Sequence, residues 1–144
     1  MKRIQLEDLS RIARDVLERL PAAKDTATLL ALRGDLGAGK TTFVQAFAKE
    51  LGVAATVQSP TYVLMKKYAI AYKRFTSLVH IDAYRLEKPE EFAALNPAEF
   101  LNDPGVLVLV EWPERLGGAV PRADLTVNFS SQDAGEGERY IEVV

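Results

Sequence analysis

The chain has 144 residues, almost equal numbers of cationic and anionic side chains, and no cysteine. This length predicts a single domain, residues 1–144, that buries about two-thirds of its unfolded surface. The 18 Lys+Arg and 20 Asp+Glu give a net charge of −2, which provides no general electrostatic attraction to nucleic acid or to an anionic membrane. The lack of cysteine excludes disulfides, zinc sites built on cysteine and thiol nucleophiles.

The N-terminal segment predicts a short strand over residues 3–6 and an amphipathic helix over residues 7–20. Glu7 and Asp8 interrupt any apolar core of a signal sequence, and no apolar run in the chain reaches membrane-spanning length. We therefore expect a cytoplasmic protein. Apolar side chains share one face of the helix, and Pro21 ends it. Such a face usually packs on a core, and partner binding is the less favoured alternative.

The next segment predicts a phosphate-binding loop between a strand over residues 26–33 and a helix over residues 41–51. Residues 34–41 read Gly-Asp-Leu-Gly-Ala-Gly-Lys-Thr and match G-x-x-x-x-G-K-[ST] at every position. Glycines let backbone N–H groups point into one concavity at the positive end of the helix. Lys40 can reach phosphate oxygens, and the Thr41 hydroxyl is placed to complete a Mg²⁺ shell. A turn that binds nothing would not require Lys-Thr at this spacing.

The segment after this helix is less regular. Residues 59–62 read Ser-Pro-Thr-Tyr and predict a loop that enters a strand over residues 63–68, because proline disfavours helix at the residue before it. In P-loop hydrolases a loop at this stage can carry a threonine that approaches Mg²⁺ and the γ-phosphate, and Thr61 is the candidate. An ordinary turn is at least as good an interpretation of this segment. Residues 69–76 are then predicted as a hairpin connection.

Two apolar runs end in carboxylates, as a Walker-B strand does. Residues 77–82 end in Asp82, and the unbroken run over residues 106–110 is followed by Glu111. The lack of alternation in the second run predicts a strand covered on both faces, as in a parallel sheet. His80, the only histidine, lies inside the first run, where a hydrogen-bonded core residue is a better interpretation than a catalyst.

The remaining elements complete a predicted α/β fold. Two short helices are predicted over residues 89–95 and 97–101, each starting at a proline, and alternating strands over residues 124–129 and 139–143. This order predicts a three-layer P-loop NTPase-like domain with a largely parallel central sheet and a C-terminal β-hairpin. Ligands of such sheets bind beyond the carboxyl ends of the strands. We therefore expect the phosphate loop and both carboxylates to meet at one edge, in a shared Mg-nucleotide site.

These motifs together resemble the TsaE family, formerly called YjeE, which supports bacterial tRNA threonylcarbamoyladenosine synthesis. The likeness is carried by residues 34–43, 59–62, 80–86 and 111–114, which stand in the family's order. It implies a small P-loop ATPase that acts with the TsaD and TsaB proteins and reaches tRNA only indirectly through that complex. The chain departs from the family at two positions: Asn96 replaces a common glycine, and Ser10 replaces a frequent threonine.

The resemblance also implies roles for individual residues. ATP and Mg²⁺ are the expected cofactors. Asn tolerates left-handed backbone, so the change at position 96 concerns loop shape more than chemistry. The expected catalytic residues are Asp82, Glu111 and Thr61, the expected metal ligands are Thr41 and Glu111, and the expected nucleotide-binding residues are Asp35, Leu36, Gly37, Ala38, Gly39, Lys40, Thr41 and Thr42.

The residues leave other functions open. A small-molecule kinase would share the phosphate loop, but a kinase needs an acceptor pocket and usually an arginine-bearing lid, and the arginines here are scattered. A GTPase switch is less favoured because the chain has no Asn-Lys-x-Asp motif. A nucleotide-binding scaffold without turnover also fits. No arginine has an obvious finger position, since Arg33 precedes the loop and Arg85, the best internal candidate, fits a structural or partner-facing role equally well.

Overall fold

The computed structural model describes residues 2–35, 39–53, 64–84, 86–131 and 138–144. Within these ranges, strands of one sheet alternate with helices in the chain. The strands are β1 Lys2–Gln5, β2 Thr28–Arg33, β3 Met65–Tyr72, β4 Phe75–Asp82, β5 Val106–Glu111, β6 Leu125–Ser130 and β7 Glu138–Val143. The helices are α1 Leu9–Arg19, α2 Lys40–Glu50, α3 Glu90–Ala93 and α4 Ala98–Leu101. A 3₁₀ segment also forms at Leu6–Asp8, and another over Pro113–Ala119 is kinked at Gly117, which has a φ of +57°.

The sheet has the order β1-β7-β6-β2-β5-β4-β3. Its centre is parallel, because β2 pairs with both β5 and β6, and β5 pairs with β4, in the same direction. The outer pairs β1–β7, β6–β7 and β3–β4 are antiparallel. The predicted α/β fold with a largely parallel central sheet is therefore confirmed, as is the antiparallel strand pair at the C-terminus.

Two apolar layers cover the two faces of the sheet. Leu30 and Leu32 of β2 pack in one layer with α1 and α2, whereas Leu29 packs in the other layer with α3, α4 and the segment Pro113–Ala119. This alternation follows the two-residue period of a strand, and it explains why β5 is buried at every position. The buried side chains of α2 therefore pack in the layer that covers one face of β2 and β5. No helix in the described ranges is long and apolar enough to cross a membrane.

The hairpin between β3 and β4 is tighter than predicted. The strands continue to Tyr72 and Phe75, so the connection is a two-residue turn in which Lys73 has a φ of +51°. Arg74 explains the difference, because its guanidinium donates to the carbonyl oxygen of Pro21 at 2.8 Å and to Thr28 Oγ1 at 3.0 Å. These contacts attach the turn to the start of β2, 46 or more residues earlier in the chain. The sequence pattern contains no sign of them.

The helices begin and end close to the predicted positions. Helix α1 starts at Leu9 rather than at residue 7, because a 3₁₀ turn precedes it and the Asp8 carboxylate accepts the Gln5 N–H at 3.0 Å. Asn96, between α3 and α4, has a φ of +56°, and its side-chain amide donates to Glu99 Oε1 at 3.0 Å. The asparagine therefore supplies the left-handed backbone that a glycine would otherwise supply.

The first glycine of the phosphate loop should be essential for stability. Gly34 has a φ of +148°, and a Cβ atom there would lie 2.7 Å from the carbonyl oxygen of Phe129 in β6. The backbone conformation costs an L-residue about 1–3 kcal/mol, and the paired strand cannot move away freely. We predict that Gly34→Ala lowers the free energy of unfolding by about 2 kcal/mol or more, measured by urea denaturation.

Gly118→Ala is the matched control for this substitution. Gly118 does not have a positive φ, and no atom lies within 4 Å of the Cβ position. The free energy of unfolding of the Gly118→Ala variant should differ from that of the wild type by less than about 0.5 kcal/mol. An equal loss at the two positions would contradict the packing argument for Gly34.

Candidate nucleotide site

The carboxyl ends of β2, β4 and β5 bring the predicted site residues together. Glu111 ends β5 and is the register partner of both Leu32 in β2 and Asp82 in β4. The chain leaves β2 at the same edge and returns as α2, which begins at Lys40. Residues from three separate parts of the sequence thus meet at the edge where ligands of parallel sheets bind.

The start of α2 is suited to an anion. Gly39 has a φ of +103° and leads directly into the helix, which has no side-chain cap and no acidic residue in its first turn. Helix α2 therefore presents N–H groups and a partial positive charge at this end. Thr41 and Thr42 are exposed there, and Asp35, two residues after the end of β2, is also exposed.

Several predicted site residues lie outside the described ranges. These residues are Leu36, Gly37 and Ala38 of the loop and the catalytic candidate Thr61. Arg85, the internal arginine candidate, also lies outside them. Their predicted roles stay predictions.

Lys40 is buried, with 5% of its surface exposed. Its ammonium donates a hydrogen bond to the carbonyl oxygen of Gly34 and lies 3.6 Å from the centre of the Trp112 ring. Burial lowers the pKa of Lys40 below its ordinary value, and the nearby carboxylates of Glu111 and Asp82 oppose this shift. The side chain that would contact phosphate thus rests on a carbonyl and an aromatic face, with two carboxylates near enough to act on its charge.

Trp112 is a member of this site that sequence reasoning missed. The segment around it contributed to the family resemblance, but no role was predicted for the indole ring. Trp112 has a φ of +60°, which is unusual for a residue with a side chain, and its ring packs 5.1 Å from that of Tyr84. The sequence contained one indication that Trp112 could belong to the site, because it directly follows the predicted site residue Glu111 and precedes a proline. The Lys40 ammonium lies over the face of this ring.

The two carboxylates differ in their surroundings. The Glu111 side chain is 3% exposed, and its Oε2 lies 2.7 Å from His80 Nε2. Asp82 is partly exposed, and its Oδ1 accepts the Tyr84 N–H at 3.0 Å. The predicted core role of His80 agrees with its burial, and its hydrogen-bond partner is a predicted site residue. Glu111 is therefore buried against a side chain, whereas Asp82 is partly exposed and its contacts include a backbone N–H.

The donor set at this edge fits a magnesium ion that arrives with a nucleotide. Mg²⁺ prefers oxygen ligands and is commonly bound by one or two carboxylates, substrate phosphates and several waters. Thr41 would supply a hydroxyl oxygen, and Asp82 and Glu111 would supply carboxylate oxygens. Among the residues that the structure describes, no group of three or more His, Cys, Asp or Glu side chains could hold a metal ion. The phosphates would have to complete the coordination shell.

Arg139 of β7 lies next to Gly39, at the start of α2. In the sheet, β7 lies on the side of β2 away from β5 and β4. Its Cγ and Nε lie 3.6 and 3.9 Å from the position that a Cβ atom on Gly39 would occupy. The sequence offered no reason to connect these residues, because they are 100 positions apart. Their proximity depends on β7 pairing with β6 next to β2.

Comparison with known proteins extends the likeness over nearly the whole chain. The family profile for threonylcarbamoyl adenosine biosynthesis protein TsaE matches residues 5–141. The tRNA threonylcarbamoyladenosine biosynthesis protein TsaE of Haemophilus influenzae is 38% identical over 130 residues, which cover 90% of this chain and 77% of that protein. The Bacillus subtilis protein of the same name is 34% identical over 142 residues, covering 98% and 85%. The crystal structure of Bacillus subtilis YdiB aligns with a TM-score of 0.67 and 31% identity, covering 97% of this chain and 80% of that one.

The surroundings of Lys40 lead to a prediction about its protonation. Its pKa should lie below 10.5, because burial disfavours the ammonium ion more than the carboxylates favour it. Glu111→Gln removes the largest opposing charge and should lower the pKa further. Titration of the lysine Cε signals by carbon-13 NMR, with Lys40→Met used to assign the Lys40 signal, measures both values.

The same shift predicts a sign for the pH dependence of stability. The unfolded chain keeps the Lys40 proton to a higher pH than the folded chain, so the free energy of unfolding gains a contribution as pH rises from the folded pKa toward 10.5. Lys40→Met should remove this contribution, whereas Lys49→Met on the exposed side of α2 should retain it. A wild-type pKa at or above 10.5 would refute the prediction.

Proposed function

Because the chain belongs to the TsaE family of threonylcarbamoyladenosine biosynthesis proteins, we propose that it binds Mg-ATP at the carboxyl edge of the sheet and hydrolyses it. The observation that carries this proposal is the convergence of Lys40, Asp82 and Glu111 at the start of α2. An anion site, a phosphate-reaching cation and two carboxylates are the parts that phosphoryl transfer requires. A glycine-rich turn with a structural role alone would not need them in one place.

Phosphate binding would use positive groups that already lie at the start of α2. The N–H groups at the start of α2 and the Lys40 ammonium would hold the β- and γ-phosphates. A phosphate oxygen would replace the Gly34 carbonyl oxygen as the hydrogen-bond acceptor for Lys40. The Trp112 ring, which lies against the ammonium, would limit the positions that the ammonium can reach. Binding therefore exchanges a neutral acceptor for a charged one, which makes a stronger hydrogen bond.

The carboxylates and the threonine would serve the metal ion and the attacking water. Mg²⁺ would neutralise charge that develops on the phosphates. The Thr41 hydroxyl and the Glu111 carboxylate would hold it, because Glu111 is fixed by His80. Asp82, which is partly exposed, would bind in the outer shell or orient the water, and Thr61 would line the same site.

The biological role would be that of an accessory subunit in the cytoplasm. We propose that ATP hydrolysis supports turnover of a TsaD-TsaB complex and that the chain reaches tRNA only through that complex. Fast hydrolysis needs added positive charge in the transition state, which an arginine from a partner can supply. The near-neutral net charge of −2 agrees with recognition of a protein partner by local patches rather than with general attraction to RNA.

Lys40→Met provides a direct test of the nucleotide site. The substitution keeps most of the aliphatic stem on Trp112 and removes the charge. A hydrogen bond to a charged group contributes about 1.5–3 kcal/mol, so we predict that the affinity for Mg-ADP falls about tenfold or more in calorimetry. Lys49→Met in the last turn of the same helix is exposed and should keep wild-type affinity. Equal affinities of the Lys40→Met variant and the wild type would refute the proposed site.

Partner dependence can be tested by measuring ATP turnover. The isolated chain should hydrolyse ATP slowly, and addition of the cognate TsaD-TsaB complex should accelerate it, by as much as the ~10³- to 10⁵-fold that an arginine finger provides in related chemistry. Repeated rounds of tRNA modification should require hydrolysis and should stop with Lys40→Met. Equally fast turnover with and without the partners would contradict the accessory role.

The kinase alternative is distinguished by the fate of the γ-phosphate. A hydrolase releases inorganic phosphate in proportion to ADP, whereas a kinase transfers phosphate to an acceptor. Measuring both products with labelled ATP separates the two functions. Phosphate on a small molecule, with little release as inorganic phosphate, would favour the kinase.

A further inference from the structure

His80 is the only histidine of the chain and one of its most deeply buried polar residues. It lies in β4, and its side chain is 1% exposed. The neighbouring strand positions are apolar, and Leu78, Val79 and Ile81 are fully buried. A polar ring in such a strand needs a reason other than filling space.

The sheet places His80 beneath the candidate nucleotide site. Leu78 of β4 and Leu109 of β5 both pack in the layer that contains α2. Because successive side chains alternate between the faces of a strand, His80, Asp82 and Glu111 belong to that same face. His80 thus precedes Asp82 by two residues in β4 and lies deeper in the core. Both side chains belong to the face of the sheet that α2 covers.

The hydrogen bond between the two residues has a defined direction. An ionised Glu111 carboxylate only accepts hydrogen bonds, so with Glu111 ionised His80 Nε2 carries the N–H that donates to Glu111 Oε2 at 2.7 Å. The other ring nitrogen, Nδ1, is buried and has no hydrogen-bond partner among the described residues. An apolar side chain would fill the same space without leaving a buried nitrogen unpaired. The ring is therefore better explained by its bond to Glu111 than by packing.

We propose that His80 is a positioning residue for Glu111. Its Nε2–H holds one carboxylate oxygen and leaves the other available to the nucleotide-bound metal ion. This inference rests on the proposed function, since it assigns Glu111 to the magnesium shell. Hydrogen-bond partners of metal-ligating groups fix the orientation of the ligand, and their loss typically costs about 10–100-fold in metal affinity or activity.

The first experiment compares His80→Leu with His80→Gln. Leucine removes the donor, whereas the glutamine side-chain amide can place an N–H near the position of Nε2. The measurement is the Mg²⁺ concentration that half-maximally promotes ADP binding, together with the ADP affinity in EDTA. We expect His80→Leu to raise this Mg²⁺ concentration about 10–100-fold without changing metal-free ADP binding, and His80→Gln to restore most of the loss.

A double variant tests whether His80 acts through Glu111. Glu111→Gln should raise the required Mg²⁺ concentration by itself, and adding His80→Leu should then have no further effect. Leu78→Ala is the matched control, because it removes a buried side chain from the same strand and face. It should lower the free energy of unfolding while leaving the Mg²⁺ requirement unchanged.

A third measurement needs neither nucleotide nor metal. Nitrogen-15 NMR of the single imidazole should show a proton on Nε2, and Glu111→Leu should shift the Nε2 signal because it removes the acceptor. A proton on Nδ1 alone would overturn the inference even if His80→Leu does not fold. An unchanged Mg²⁺ requirement in folded His80→Leu would also overturn it. No Mg²⁺ effect on ADP binding by the wild type would instead refute the proposed function.

Discussion

The cost of burying ionisable side chains determines how the carboxyl edge of this sheet is built. A charge in an apolar interior must find a partner or shift its protonation equilibrium. Lys40 rests on a carbonyl oxygen and an indole ring, and Glu111 pairs with His80. These contacts are possible because β2, β4 and β5 are parallel neighbours that end at one edge. The polar groups of the site thus depend on the apolar strands beneath them for both their positions and their partners.

The same environment separates two carboxylates that look alike in the sequence. Glu111 is buried against a side-chain donor, whereas Asp82 is partly exposed and accepts a backbone N–H. A carboxylate with one oxygen held has few orientations available, which suits a ligand of fixed geometry. A partly exposed carboxylate can exchange contacts with water, which suits the orientation of a nucleophile. The proposed division of roles follows from this difference in burial.

Patterns within short stretches of sequence were enough to predict the fold class and most of its elements. The unbroken apolar run before Glu111 predicted the central strand β5, and the glycine-rich motif predicted the turn between β2 and α2. The differences occur where distant contacts act: the β3–β4 connection was predicted too long, and no element was predicted over residues 113–119. The β3–β4 turn is tight because Arg74 bonds to the segment before β2, and the 3₁₀ segment Pro113–Ala119 forms where Leu116 packs into the core.

The family and the two strands that end in carboxylates could be predicted from short stretches of sequence, and the same stretches carry the predicted phosphate-binding motif. The contacts between distant side chains that set the environment of these residues could not be predicted in the same way. His80 and Glu111 are 31 positions apart, and Lys40 and Trp112 are further apart still. Whether such side chains meet depends on the order of strands in the sheet and on which face each side chain occupies after pairing. Strand order follows from packing of the whole chain, so only the folded structure shows that Lys40 lies on Trp112 and that His80 is hydrogen-bonded to Glu111.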